Sequence, residues 1–130
     1  MAATDLTVAD ESGAKFVEGP PGQGFLSRVR DADRVLEACF AARVRCALLY
    51  AENLTAAFFD LSSGEAGAIL QKLRNYRIRL AVVCPPGSVE FSSRFGELLA
   101  EERRGDHFGV FETREAATEW IRLTSEADAI

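Results

Sequence analysis

Two short, unbroken apolar runs constrain this chain most. Cys46-Ala47-Leu48-Leu49-Tyr50 and Leu80-Ala81-Val82-Val83-Cys84 carry no charged residue. A strand with one face in water alternates apolar with polar side chains, whereas a strand covered on both faces does not. The runs therefore predict central strands of a parallel sheet with helices packed over it. Each follows a stretch of helical periodicity. Before the first, Asp31 and Asp33 are both candidate N-caps, and Ala32, Val35, Leu36, Cys39 and Phe40 recur at helical spacing. Arg34, Glu37 and Arg43 lie away from that face. Before the second, Ala66, Ile69, Leu70 and Leu73 form an apolar face that Tyr76 or Arg77 continues.

The remaining segments fit the same plan. Leu6–Ala9 and Lys15–Glu18 are short alternating runs around Ser12-Gly13, which reads as a β-hairpin. Gly19-Pro20-Pro21-Gly22-Gln23-Gly24 is a loop. It lacks the Gly-Lys-Ser/Thr of a phosphate-binding loop and reads as a spacer. Ser92 or Ser93 caps a further helix with Phe95, Leu98 and Leu99 inward, and Gly105 stops it. Phe108–Phe111 is the last strand. Thr113 caps a final helix with Ala116, Ala117, Trp120 and Ile121 on one face. This order predicts an α/β fold: a mixed, mostly parallel sheet with an N-terminal hairpin and about four helices. It fills one domain over residues 1–130, with frayed ends at 1–3 and 125–130 and no internal repeat.

Charge and composition exclude several functions. A net charge of -5 over 130 residues argues against a surface built to coat nucleic acid. The local basic run Lys72, Arg74, Arg77 and Arg79 is read as partner-facing. Cys39, Cys46 and Cys84 lie in apolar runs without metal-ligand spacing, and His107 is the one histidine; no metal or cofactor is expected, and the thiols are expected in the core. His107 has no orienting partner in sequence, so no enzymatic machinery is read. There is no leader pattern and no apolar run of the roughly 20 residues a membrane helix needs. The expectation is a cytoplasmic chain with no membrane partner.

The densest polar segment is Asp60-Leu61-Ser62-Ser63-Gly64, which joins the apolar Ala56–Phe59 to the second helix. Ser62 or Ser63 is placed to cap that helix, and a phosphate on a hydroxyl there would meet free backbone N–H groups. Gly64 and Gly67 each weaken a helix by about 1 kcal/mol relative to alanine. They predict close approach of another backbone or of a partner. Gln71, Lys72, Asn75 and Arg77 could ring a ligand or partner site. The plainer alternative is a solvated helix face with Asn75 as C-terminal cap.

Leu48 to Gly64, followed by a short helix and a buried strand, resembles the signature of STAS-type domains, which include the bacterial anti-sigma factor antagonists. That likeness implies a STAS-like fold and a phosphoacceptor at Ser63, served by a partner kinase. Leu61 inserts one residue relative to the antagonists' Asp-Ser-Ser-Gly turn. A closer resemblance is to a bacterial family, the domain of unknown function 4180. It rests on Phe58-Phe59-Asp60-Leu61, Ser63-Gly64, Ala66-Gly67, Gln71-Lys72 and Asn75-Tyr76-Arg77, with Leu80–Val83 and Glu115-Ala116-Ala117 beyond. It covers residues 25 to 123. Together these expectations describe a non-enzymatic regulatory or interaction module. Its partner surface comprises Asp60, Ser62, Gly64, Gly67, Gln71, Lys72, Asn75, Tyr76 and Arg77, with Ser63 as a switch. The partner is another protein, such as a kinase or regulator, or a second copy of the chain. The alternative is a small-molecule-binding protein whose pocket is lined by Gln71, Asn75 and Tyr76.

Overall fold

The computed structural model describes residues 6–11, 13–19, 32–54, 65–85 and 107–128. They form a five-stranded sheet and three α-helices. The strands are β1 (Thr7–Glu11), β2 (Ala14–Glu18), β3 (Cys46–Tyr50), β4 (Arg79–Val83) and β5 (Phe108–Phe111), and the helices are α1 (Ala32–Ala42), α2 (Glu65–Asn75) and α3 (Arg114–Asp128). A 3-10 turn, Ala51–Asn53, follows β3.

The sheet runs in sequence order from β1 to β5. β1 and β2 are antiparallel with Glu11 opposite Ala14, so the expected hairpin is present. Gly13 takes a φ of 87°, a left-handed conformation that suits glycine at a tight turn. The pairs β2–β3, β3–β4 and β4–β5 are parallel. The fold is thus α/β with a mixed sheet, as the two apolar runs require. The helix expected from Ser92 or Ser93 lies outside the described residues, as does the extended segment expected at Ala56–Phe59.

The pleat divides the core in two. Ala47, Leu49, Leu80 and Val82 point to one face, where they pack with Val35, Leu36 and Cys39 of α1 and Ile69, Leu70 and Leu73 of α2. Cys46, Leu48, Ala81 and Val83 point to the other, against Phe16 of β2 and Ala117 and Ile121 of α3. Both central strands are buried on both sides, which explains their unbroken hydrophobicity. Each buried leucine, isoleucine or valine there contributes about 2 kcal/mol by leaving water. α1 and α2 share a face because parallel neighbours are joined by crossovers of one hand. α3 follows the last strand and closes the opposite face. Thr113 caps it as expected, its Oγ1 accepting from the Ala116 N–H at 3.1 Å. The helix runs on to Asp128, past Thr124, after which the sequence reading let the chain fray.

All three cysteines are buried and unbridged. Burial pushes the Cys39 thiol up to about 12, which keeps it protonated and inert. Its Sγ donates to the Cys46 carbonyl at 3.8 Å.

Candidate functional site

Asp60, Ser62, Ser63 and Gly64 lie outside the described residues. The rest of the expected surface is on α2 and the turn behind it. Gly67, Gln71 and Asn75 follow at intervals of four and form one exposed ridge, with Ala68 exposed beside them. Nothing lies within 4 Å of a β-carbon built on Gly67, so no other part of the described chain approaches it. The close approach expected there is absent inside the described molecule. Gln71 Nε2 donates to Asn75 Oδ1 at 2.9 Å along the ridge. Asn75 is the last helical residue, and backbone bonds at Arg77 and Ile78, not its side chain, close the helix.

Lys72 leaves the ridge and bonds Asp33 of α1 at 2.5 Å. This corrects two expectations. Asp33 stands inside the first turn of α1 and serves as an ion-pair partner, not as an N-cap. The basic run also divides: Lys72 is paired and Arg79 is buried, so Arg77 is the exposed member left to face a partner.

Arg77 caps α2. It adopts a φ of 60°, with its N–H bonded to the Arg74 carbonyl and the Ile78 N–H bonded back to the Leu73 carbonyl. This is the Schellman ending, in which the left-handed residue is usually glycine. α1 ends the same way. Arg43 has a φ of 59°, its N–H bonds the Phe40 carbonyl, and the Val44 N–H bonds the Cys39 carbonyl. A left-handed backbone costs an ordinary residue roughly 1 kcal/mol or more, so both arginines sit where glycine would be easier. β3 and β4 then pair from Cys46 and Arg79 onward, and the Arg79 N–H bonds the Arg45 carbonyl at 2.8 Å. The two helix endings are brought side by side at the amino end of the sheet.

Between them is a cleft of about 400 Å³. Cys39, Val44 and Ile78 supply its apolar lining, and Arg43, Arg45 and Arg77 its charge. Phe40 and Tyr76 complete the wall. Phe40 was expected in the core but is 54% exposed, because the buried stripe of α1 passes through Val35, Leu36 and Cys39. Its ring meets that of Tyr76 edge-on at 5.8 Å, and Tyr76 is 53% exposed. Of the residues expected to line a pocket, the cleft includes Tyr76 but neither Gln71 nor Asn75. A short echo in the sequence marked this place: Ala42-Arg43-Val44-Arg45-Cys46-Ala47-Leu48-Leu49 matches Tyr76-Arg77-Ile78-Arg79-Leu80-Ala81-Val82-Val83 in pattern. The echo is too short to be a repeat in the usual sense, and no repeat was read.

Sequence reasoning also missed a polar cluster on the α3 face. Arg114, in the first turn of α3, lies over the Phe16 ring at 5.8 Å. It reaches Glu18 on one side, Nε to Oε2 at 2.9 Å, and Glu11 on the other, Nη1 to Oε1 at 2.8 Å. The Tyr50 hydroxyl donates to the same Glu18 carboxylate. Hydrogen bonds from Arg114 hold both carboxyls below the usual carboxylate range. Burial, then the Glu18 carboxylate, pushes the Tyr50 phenol up to about 12. Every member is thus fixed in its ordinary ionisation state, which suits a structural clamp and not proton transfer. Period-two patterning could have placed Glu18 and Tyr50 on one face. Nothing local links them to Arg114, 96 residues beyond Glu18.

Nearby, Asn53 is fully buried and its Oδ1 accepts the Tyr50 N–H at 2.7 Å. A β-carbon on Gly19 would stand 2.4 Å from that oxygen, so this close approach does require glycine. His107 precedes β5, its carbonyl accepting the Leu80 N–H; its Nδ1 has no hydrogen-bond partner among the described residues. No group of His, Cys, Asp and Glu there could hold a metal ion. No helix among the described residues is long and apolar enough to cross a membrane.

The model of the domain of unknown function DUF4180 matches residues 11–121, which span every element from the end of β1 into α3. The chain belongs to the DUF4180 family. The match takes in the α2 ridge, the arginine cleft and the Arg114 clamp, so all three lie within the DUF4180 domain. Neither the curated proteins nor the solved structures hold a match to this DUF4180 chain.

Proposed function

We propose that this DUF4180 chain is a non-enzymatic regulatory module of the bacterial cytoplasm, STAS-like in architecture, that works by binding another protein or a second copy of itself. The observation that carries the reading is the α2 ridge, where Gly67 is exposed with open space above it. A glycine in the first turn of a helix weakens it, by at most about 1 kcal/mol, and nothing inside the described chain uses the room it leaves. A partner backbone that packs there would use it. Gln71 and Asn75 then offer hydrogen bonds along the same line, and Tyr76 an apolar end. The sequential sheet with its N-terminal hairpin supports the STAS-like description. Ser63 precedes α2 in the chain, and its phosphorylation by a kinase would place negative charge ahead of the ridge and switch the surface.

The test separates the two roles of Gly67. Gly67→Ala should stabilise the free chain by up to about 1 kcal/mol in urea unfolding, since its methyl meets nothing. Gly67→Leu should stay folded yet lose the protein, or the self-association, recovered with the natural chain in affinity purification and sedimentation. Ser63→Glu should alter the same association. A natural chain that sediments as a monomer and recovers no protein overturns the reading, as does an unchanged set of proteins with Gly67→Leu. A second reading, small-molecule binding, is supported by the cleft beside Tyr76, whose walls are the α1–β3 and α2–β4 turns.

A further inference from the structure

The arginine cleft shares Tyr76 and Arg77 with the partner surface, but Gly67, Gln71 and Asn75 of the ridge do not line it, and its composition is specific. Arg43, Arg45 and Arg77 border one space, and none of them forms an ion pair with another described residue. Elsewhere among the described residues Lys72 pairs with Asp33, Arg114 with Glu11 and Glu18, and Arg122 with Glu119, while the exposed Lys15 and Arg34 form no ion pair with a described residue. Gathering like charges is unfavourable unless an anion joins them. One charge per helix end would suffice to meet the dipole, and a left-handed backbone is not needed for that. Arg45 lies beyond the helix and caps nothing. Two arginines occupy positions that favour glycine, in a chain whose net charge is -5. The cleft also presents two exposed aromatic rings and an apolar floor of Val44 and Ile78.

We propose that this cleft binds a sugar phosphomonoester that also carries a flat base, of the nucleoside monophosphate class. Guanidinium forks match phosphate oxygens two at a time and hold their charge at any physiological pH. Phe40 and Tyr76 supply faces on which a base stacks. A volume of about 400 Å³ lies within the range of small-ligand sites. The two Schellman turns fix Arg43 and Arg77 on rigid backbone, and the β3–β4 pairing fixes the spacing between the turns.

The experiment is calorimetric titration of the chain at low salt with adenosine, guanosine, cytidine and uridine 5′-monophosphates. Ribose 5-phosphate and inorganic phosphate serve as comparisons. At least one nucleotide is expected to bind saturably and more tightly than either comparison. The informative variant is Arg43→Gly combined with Arg77→Gly, because glycine suits both backbones and the fold is kept. It should weaken binding about tenfold or more. Tyr76→Ala should weaken nucleotide binding and leave inorganic phosphate unchanged. Arg34→Ala, which removes an exposed charge at the other end of α1, should change nothing. The proposal is overturned if no nucleotide saturates the chain, if the double glycine variant binds as well as the natural chain, or if inorganic phosphate binds as tightly as every nucleotide. Because Gly67 lines no part of the cleft, the outcome stands apart from that of the partner test.

Discussion

Two charged regions of this molecule contrast. On the α3 face, one guanidinium over an aromatic ring bonds two carboxylates, one of which also accepts from a phenol. At the amino end of the sheet, three arginines line one cleft with no paired carboxylate among the described residues. In the first region each charged group has a partner within the chain. The second is open, and its backbone is strained where the first is relaxed. Closed clusters stabilise a fold, whereas open ones leave interaction energy to be met from outside.

The contrast can be broken most forcefully at Arg114. Arg114→Ala should lower stability by about 2 kcal/mol, since it leaves the half-buried Glu18 without its main partner. The more exposed contact to Glu11 adds little. Urea unfolding measures the loss, and nucleotide binding at the cleft should be untouched. If Arg114→Ala proves neutral, the α3 cluster is no clamp and the distinction fails.

Tyr50→Phe is the next largest change. It deletes the hydroxyl that donates to Glu18 and should cost about 1 kcal/mol by the same assay. The two pH limits sharpen the point. The Glu11 and Glu18 pKa values are depressed from 4.5, so their stabilisation is complete above that value and is lost as pH falls through the lower folded-state values. The Tyr50 pKa is raised from 10.0 to about 12, so its contribution is complete below pH 10.0 and is lost as pH rises through about 12. Unfolding midpoints across pH should show both slopes. Arg114→Ala should flatten the acid slope and Tyr50→Phe the alkaline one.

The smallest expected effect has the opposite sign. Arg43→Gly and Arg77→Gly should each stabilise the chain, by roughly 0.5 kcal/mol, because relief of the left-handed strain outweighs the greater freedom glycine gives the unfolded chain. Thermal melting of each single variant checks this. Stability gained where ligand affinity falls would identify the arginines as functional. A loss of stability would place them with Arg114 as structural charges.

The layers of this fold were legible because they follow from local pattern. Unbroken apolar runs at Cys46–Tyr50 and Leu80–Cys84 can be satisfied only between two layers, and the hairpin at Gly13 and the Thr113 cap are short-range geometry. The α2 ridge was legible in part: helical spacing places Gly67, Gln71 and Asn75 together, but it cannot say that Lys72 turns away to Asp33 on another helix. Phe40 and Tyr76 defeated periodicity because both lie at the margin of an apolar stripe. Which side of that margin is covered depends on how α1 and α2 sit against each other.

The sequence by itself determined which segments meet water and which do not, and so the α/β plan, while its motif residues carried the resemblance to the DUF4180 family. Only the tertiary structure decided which charges meet. Arg114 finds Glu11 and Glu18 because α3 crosses the sheet over Phe16, and Arg43 joins Arg77 because β3 and β4 pair in register. Hydrophobic pattern is written residue by residue along the chain. Electrostatic complementarity depends on distances in space that no local pattern encodes.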